Sequence, residues 1–321
     1  MSSLSVPSMP TASAVPAEST YHRLLRSQAR HRWWRPLVVG LVAAGLHLAV
    51  LLALAVAVVV VGLVQPAVGV AVERFGAEDL DLTDPAALAL MLGLIALMLP
   101  ALLLATRLVG RHPVGLLSSV TGRLRSRWLR TVALTAFLVW LPAMAVAVGA
   151  EALTGTVQVR EVAPLTTVVL LVLTLGLVPF QAAAEEYVFR GYLAQLVGSW
   201  LRHPVFAVLL PVPLFVVGHG YGPLGAVEVA AFAVMAGWLT WRTGGLEAAI
   251  AAHVANNVVL MAISAVGLGD PNATDTDTLG LAVSLATMAL FTVLVTRQAG
   301  SRGVARTALR APRPVCATVS R

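Results

Sequence analysis

The stretch Gln181-Ala182-Ala183-Ala184-Glu185-Glu186-Tyr187-Val188-Phe189-Arg190 decides how this chain is read. It sets two carboxylates and a guanidinium at the end of residues 163–180, a run with no other charge. Ionised groups at membrane depth are costly unless they are paired, so their presence marks a functional region. On a helix, Glu186 and Arg190 stand at i and i+4 with the acid first, the favourable order for a pair. Glu185 projects about 100° away from Glu186 and is left without that partner. One acid is thereby held and its neighbour stays free to act as a general base.

The rest of the chain explains why charge is so scarce there. Of 321 residues, 58% are hydrophobic and 12% charged, and the mean hydropathy is +0.86. Such composition exceeds what a water-soluble core needs and calls for membrane spans. The expected fold is an all-α polytopic membrane bundle of about eight transmembrane helices, at roughly 20 residues each. The single cysteine, Cys316, excludes disulfides within the chain and thiolate zinc clusters. All 22 basic residues are arginine, as suits a GC-rich bacterial genome.

In order, residues 1–35 read as a disordered, basic cytoplasmic N-terminal tail, and 36–162 as three transmembrane helices. Residues 163–266 hold the polar clusters, with spans expected over 163–184, 204–219, 224–241 and 246–266. Residues 267–297 form an outer loop and a last span, and 298–321 a basic cytoplasmic tail. Arg23, Arg26, Arg30, Arg32 and Arg35 fall on one side of the predicted crossings, with Arg107, Arg111, Arg123, Arg125, Arg127 and Arg130. The C-terminal arginines, 297 to 321, share that side. The opposite loops carry Glu73, Glu78, Asp79, Asp81 and Asp84, then Glu151 and Glu161, then Asp270, Asp275 and Asp277. Only Arg74 and Arg160 interrupt the acidic side. The positive-inside rule then places both termini in the cytoplasm. This alternation explains the net charge of +7 as topology and leaves no role for nucleic acid.

Three polar clusters interrupt the apolar segments: Glu185, Glu186 and Arg190; then Phe215-x-x-x-His219; then His253-x-x-x-Asn257. His253 and Asn257 share a helix face. A bland reading remains open, in which these groups are hydrogen-bonding glue between helices. Glu247 reads as a first-turn acid favoured by its helix dipole. For Glu228, a cavity-facing role and an arginine pair both stay open.

Glu-Glu-x-x-x-Arg, Phe-x-x-x-His and His-x-x-x-Asn, in this order on successive apolar segments, resemble the CPBP family. That family contains the type II CAAX prenyl endopeptidases and the bacteriocin-processing and immunity (Abi) proteins. The resemblance covers about residues 166–261 and leaves the first three spans unmatched. It implies an intramembrane endopeptidase acting on a membrane-associated or leader peptide at the bilayer of the cell membrane. Glu185 would activate water, Glu186 and Arg190 would fix the geometry, His219 and His253 would bind the water, and Asn257 would help stabilise the oxyanion. Two histidines and a carboxylate also resemble a catalytic zinc shell, so zinc on His219 and His253 and a metal-free glutamate mechanism both stand. Two other functions remain: a non-proteolytic membrane regulator or immunity protein that binds partner helices, and a small transporter relaying protons. Against the transporter, no internal repeat is visible between the halves. Gly267-Leu-Gly-Asp270 mimics an aspartyl-protease signature but falls in a predicted outer loop.

Overall fold

The computed structural model describes residues 18–65 and 81–309. The expected tail at residues 1–17, the charges between 73 and 79, Cys316 and the arginines beyond 309 lie outside the described residues. The elements are β1 (Glu18–Thr20), α1 (Arg35–Val64), α2 (Pro85–Gly110), α3 (Ser126–Thr154), α4 (Pro164–Trp200), α5 (Pro204–Leu209), α6 (Val212–Val217), α7 (Pro223–Thr243), α8 (Glu247–Ala265), α9 (Thr278–Ser301) and β2 (Thr307–Leu309). This is an all-α, multi-pass membrane protein. Among the described residues seven helices, α1 to α4 and α7 to α9, are long and apolar enough to cross a bilayer.

Local chemistry sets the helix ends. Proline opens α2, α4, α5 and α7, where its missing N–H would be unpaired anyway. Asp84 accepts from the N–H groups of Ala86 and Ala87, and Asp277 from that of Gly280. Gly155 and Gly244 end α3 and α7 with φ of 72° and 71°, a conformation open to glycine at little cost.

The inter-helix segments gather on two faces. On the arginine-rich face, β1 pairs antiparallel with β2, and the Arg23 guanidinium donates to the carbonyl of Gly198. Leu246 N–H donates to Ser118, and Arg125 reaches the carbonyl of Ala305. On the acidic face, Asn272 donates to Asp81, Arg160 N–H to the carbonyl of Gly267, and Gly222 N–H to that of Thr274. The described chain therefore traverses the bundle eight times and returns to the face it started from. The expected fifth span is the irregular stroke. It covers only Pro204–Val217 and breaks between α5 and α6, where Pro211 and Pro213 deprive the helix of amide donors.

One expectation is corrected here. Residues 18–35 are not a disordered tail, because β1 pairs with β2 and Tyr21, His22, Leu24 and Leu25 are buried. Tyr21 donates its hydroxyl to the carbonyl of Leu117. The aromatic and leucine side chains of this short segment supply the burial that its flanking polar composition concealed.

At the centre stands α8, packed against α3, α4 and α7. Its buried Ala248, Ala249, Ala251, Ala252 and Ala255 let neighbouring backbones approach closely, the usual device where lipid gives no hydrophobic drive between helices. A core of Trp128, Trp140, Phe215, Phe232 and Phe291 fills the space around it. By contrast, α1 packs mainly on the second half of α2, accepts a hydrogen bond at the Pro36 carbonyl from Tyr192 of α4, and leaves most of its aliphatic side chains exposed.

Candidate active site

The helix α4 is continuous through its polar cluster. Regular α-helix runs to Glu186, and Tyr187–Leu193 continue with one wider, π-helical turn. Such turns break the regular register and often accompany functional sites. Two antiparallel rungs join α4 to α8. In one, Asn257 donates its amide to Gln181 Oε1 at 3.1 Å. In the other, the carboxylates of Glu185 and Glu186 meet His253. Gln181 and Glu185 are i and i+4 on α4, as His253 and Asn257 are on α8, so helical periodicity matches the rungs.

Glu186 is fully buried, and its Oε1 accepts from two groups: Arg190 Nη1 at 3.0 Å and His253 Nδ1 at 2.8 Å. Because the carboxylate accepts, Nδ1 of His253 carries a proton, and in the neutral imidazole Nε2 is the nitrogen that keeps a lone pair. Nε2 faces Glu185 Oε2 at 3.4 Å. Glu185 is thus less isolated than its helical angle suggested, since His253 lies between the two acids. Oε2 of Glu185, Oε2 of Glu186 and Nη2 of Arg190 are buried without a hydrogen-bond partner among the described residues. Three such atoms in one place are unusual in a folded protein and point to a site for a ligand or reacting water.

Aromatic rings wall this cluster. The Arg190 guanidinium lies 4.1 Å from the Phe215 ring centroid, 5.7 Å from Phe232 and 5.9 Å from Phe189. Desolvated contacts of this kind hold a buried cation that has a single carboxylate partner. His253 meets the ring of Phe232 edge-on at 5.2 Å. His219 is one ring away: it stacks at a tilt on Phe215, 4.5 Å between centroids, and its Nδ1–H donates to the Phe215 carbonyl at 2.7 Å. A cleft of about 210 Å³ lies between the broken α5–α6 stroke and α7 and reaches Arg190.

Of the six residues singled out in the sequence, four are in direct contact: Glu185, Glu186, Arg190 and His253. His219 joins them through Phe215, and Asn257 through Gln181. The structure adds groups that the motifs did not name. Trp140 Nε1 donates to Asn256, Asn256 to Asn257, and Asn257 to Gln181. Only Gln181 carried a signal in the sequence, standing four residues before Glu185.

Glu247 is, as expected, the first-turn acid of α8. It is also fully buried, accepting from the Arg125 backbone N–H, from Nε at 2.9 Å and from Nη2 at 2.6 Å. It clamps the start of α3 to the start of α8, apart from the site. Glu228 accepts from Ser284 at 2.6 Å and pairs with no arginine among the described residues.

Zinc on His219 and His253 needs three protein donors around an open position. Both histidines have Nδ1–H committed and make no hydrogen bond through Nε2 among the described residues, an arrangement that suits ligation through Nε2. Among the described residues, however, no three His, Cys, Asp or Glu side chains are gathered as a metal shell. Glu185 and His253 make two donors where a catalytic zinc takes three. As arranged, the residues do not fit zinc on His219 and His253.

Residues 166–259 match the family model described as type II CAAX prenyl endopeptidase Rce1-like. All six residues singled out above fall inside the match. The site-bearing segment is thus similar to that family. It is also similar to a Bacillus subtilis (strain 168) protein described as uncharacterized protein YyaK, 37% identical over 98 residues, covering 28% of this chain and 33% of that relative. The chain thus spans about one third of the length of the curated relative it matches. No solved structure matches the chain. The Rce1-like segment comprises α4 to most of α8, so α1 to α3 and α9 surround it from outside the match.

Proposed function

We propose that this protein is an intramembrane endopeptidase in which Glu185 activates the attacking water. The observation that carries the reading is the buried Glu185–His253–Glu186 cluster, with partnerless carboxylate oxygens, inside the Rce1-like segment. Water donating to Glu185 Oε2 and to the Nε2 lone pair of His253 or His219 has both hydrogens held and its own lone pair free. Glu185 takes one proton as the oxygen attacks the peptide carbonyl carbon. The carbon–nitrogen bond then breaks, and Glu185 returns the proton to the leaving amine. The developing oxyanion needs donors, and the second Nδ2 hydrogen of Asn257 is one. Glu186 keeps His253 in the tautomer that presents Nε2, and Arg190 balances the Glu186 charge.

The substrate class is a membrane-associated or leader peptide, entering beside the broken α5–α6 stroke. Glu185→Gln keeps the side-chain shape and removes the base. Cleavage of a membrane-peptide library by purified protein should fall by about 10² or more, the scale of general-base catalysis, with abundance unchanged. A Glu185→Gln protein that still cleaves at the wild-type rate rules the mechanism out.

A second reading has one observation in its favour. The Trp140–Asn256–Asn257–Gln181 chain is satisfied from end to end and would serve equally as glue in a non-proteolytic regulator. It leaves unexplained the three partnerless atoms at Glu185, Glu186 and Arg190.

A further inference from the structure

The arginine-rich face holds a second cleft, away from the candidate active site. It measures about 400 Å³ counted to its open mouth, and its walls come from the segment before α1, the first turns of α1 and the end of α2. Arg30, Arg32, Arg35, Arg111, His31 and His112 line it, together with Thr106, and among the described residues no acid does. Among the described residues no carboxylate pairs with any of these arginines. Like charges gathered without a counterion repel one another, so the cleft is built for an anion.

Two independent observations point to a ligand. Thr106 Oγ1 and His31 Nε2, on residues lining this cleft, are buried without a hydrogen-bond partner among the described residues, and Thr106 is only 1% exposed. Arg111 has φ of 54°, and it is the one non-glycine among the described residues with positive φ. Glycine is the ordinary residue there, so retaining a long cation at a strained position speaks for a role of its side chain.

The setting chooses the anion. The cleft sits where α1 enters the membrane, with Trp33 and Trp34 exposed beside it as interfacial aromatics. From Arg35, Pro36 and Val39 at its wall, α1 continues with exposed aliphatic side chains, among them Leu37, Leu41 and Leu48. A headgroup phosphate in the cleft would leave acyl chains along that surface. We propose that this cleft binds the phosphate of an anionic membrane lipid.

The test uses full-length protein in detergent, titrated with short-chain phosphatidylglycerol, short-chain phosphatidylcholine or inorganic phosphate while thermal unfolding is followed. Phosphatidylglycerol should raise the midpoint and phosphatidylcholine should not. Arg32→Gln with Arg111→Gln should weaken the lipid about tenfold or more, since each juxtamembrane cation contributes to anionic-lipid affinity. Arg127→Gln with Arg130→Gln, exposed on the same face but outside the cleft, removes equal charge and should leave the response intact. Should the first pair fail to fold, Arg30→Gln with Arg32→Gln replaces it. Equal loss in the cleft pair and the control pair would reduce the effect to diffuse surface charge and overturn the site. A midpoint rise from inorganic phosphate alone, or from both lipids alike, overturns the lipid assignment.

Discussion

Glu185 and Glu186 are adjacent in sequence and equipped differently by their surroundings. Glu186 is saturated on one oxygen by a guanidinium and an imidazole, while Glu185 meets only Nε2 of that imidazole, at 3.4 Å. Their neutral variants should therefore fail differently. Glu186→Gln leaves Arg190 buried without its carboxylate, and breaking a buried pair from one side costs about 3 kcal/mol or more. Thermal stability in detergent should drop along with activity, whereas Glu185→Gln should lose activity alone. A Glu186→Gln protein as stable as wild type would show that the pair does not hold the site. The histidines allow a metal measurement at the same scale. Protein purified without added metal should hold well under one equivalent of zinc and cleave peptide in the presence of a chelator. One equivalent of zinc, lost in His219→Ala, would instead establish the ligand role.

At the scale of elements, the site depends on how α8 is anchored. The first turn of α8 is tied to α3 by Glu247 and Arg125, with three contacts from one arginine to one fully buried carboxylate. His253 stands six residues further along, about 9 Å at 1.5 Å per residue. A shift of the anchor therefore moves the imidazole relative to α4. Glu247→Gln should destabilise the protein by about 3 kcal/mol and lower activity through stability, in contrast to the indifference expected of an exposed acid. Comparing cleavage rates below and near the unfolding midpoint checks this: normal turnover per folded molecule at low temperature is the expected result. The broken α5–α6 stroke serves a different end. Its prolines shorten the crossing, and Phe215 can then stack between Arg190 and His219.

For the whole molecule, β1 and β2 join the two ends of the described chain on one face, which requires an even number of traverses. Together with the arginine distribution, this predicts that both termini are cytoplasmic. Reporter fusions after Val70 and after the C-terminus should read outside and inside respectively. The same sign at both would overturn the eight-stroke topology.

Hydropathy and charge order are local properties, so the sequence by itself determined the membrane class, the long helices and the side each loop occupies. Helical spacing likewise determined that Glu186 would pair with Arg190. Other features depend on which helix faces meet, and only the tertiary structure decided them. His253 bridging both acids joins residues 67 apart, and the Trp140–Asn256 and Arg125–Glu247 pairs cross 116 and 122 positions. The packing of residues 18–35 was hidden for the same reason: its partners at 117, 198 and 307–309 are far along the chain. A carboxylate reads alike in sequence whether water or a buried guanidinium faces it. Long-range packing decides which, because burying that charge is stable only where a partner from another helix is already in place.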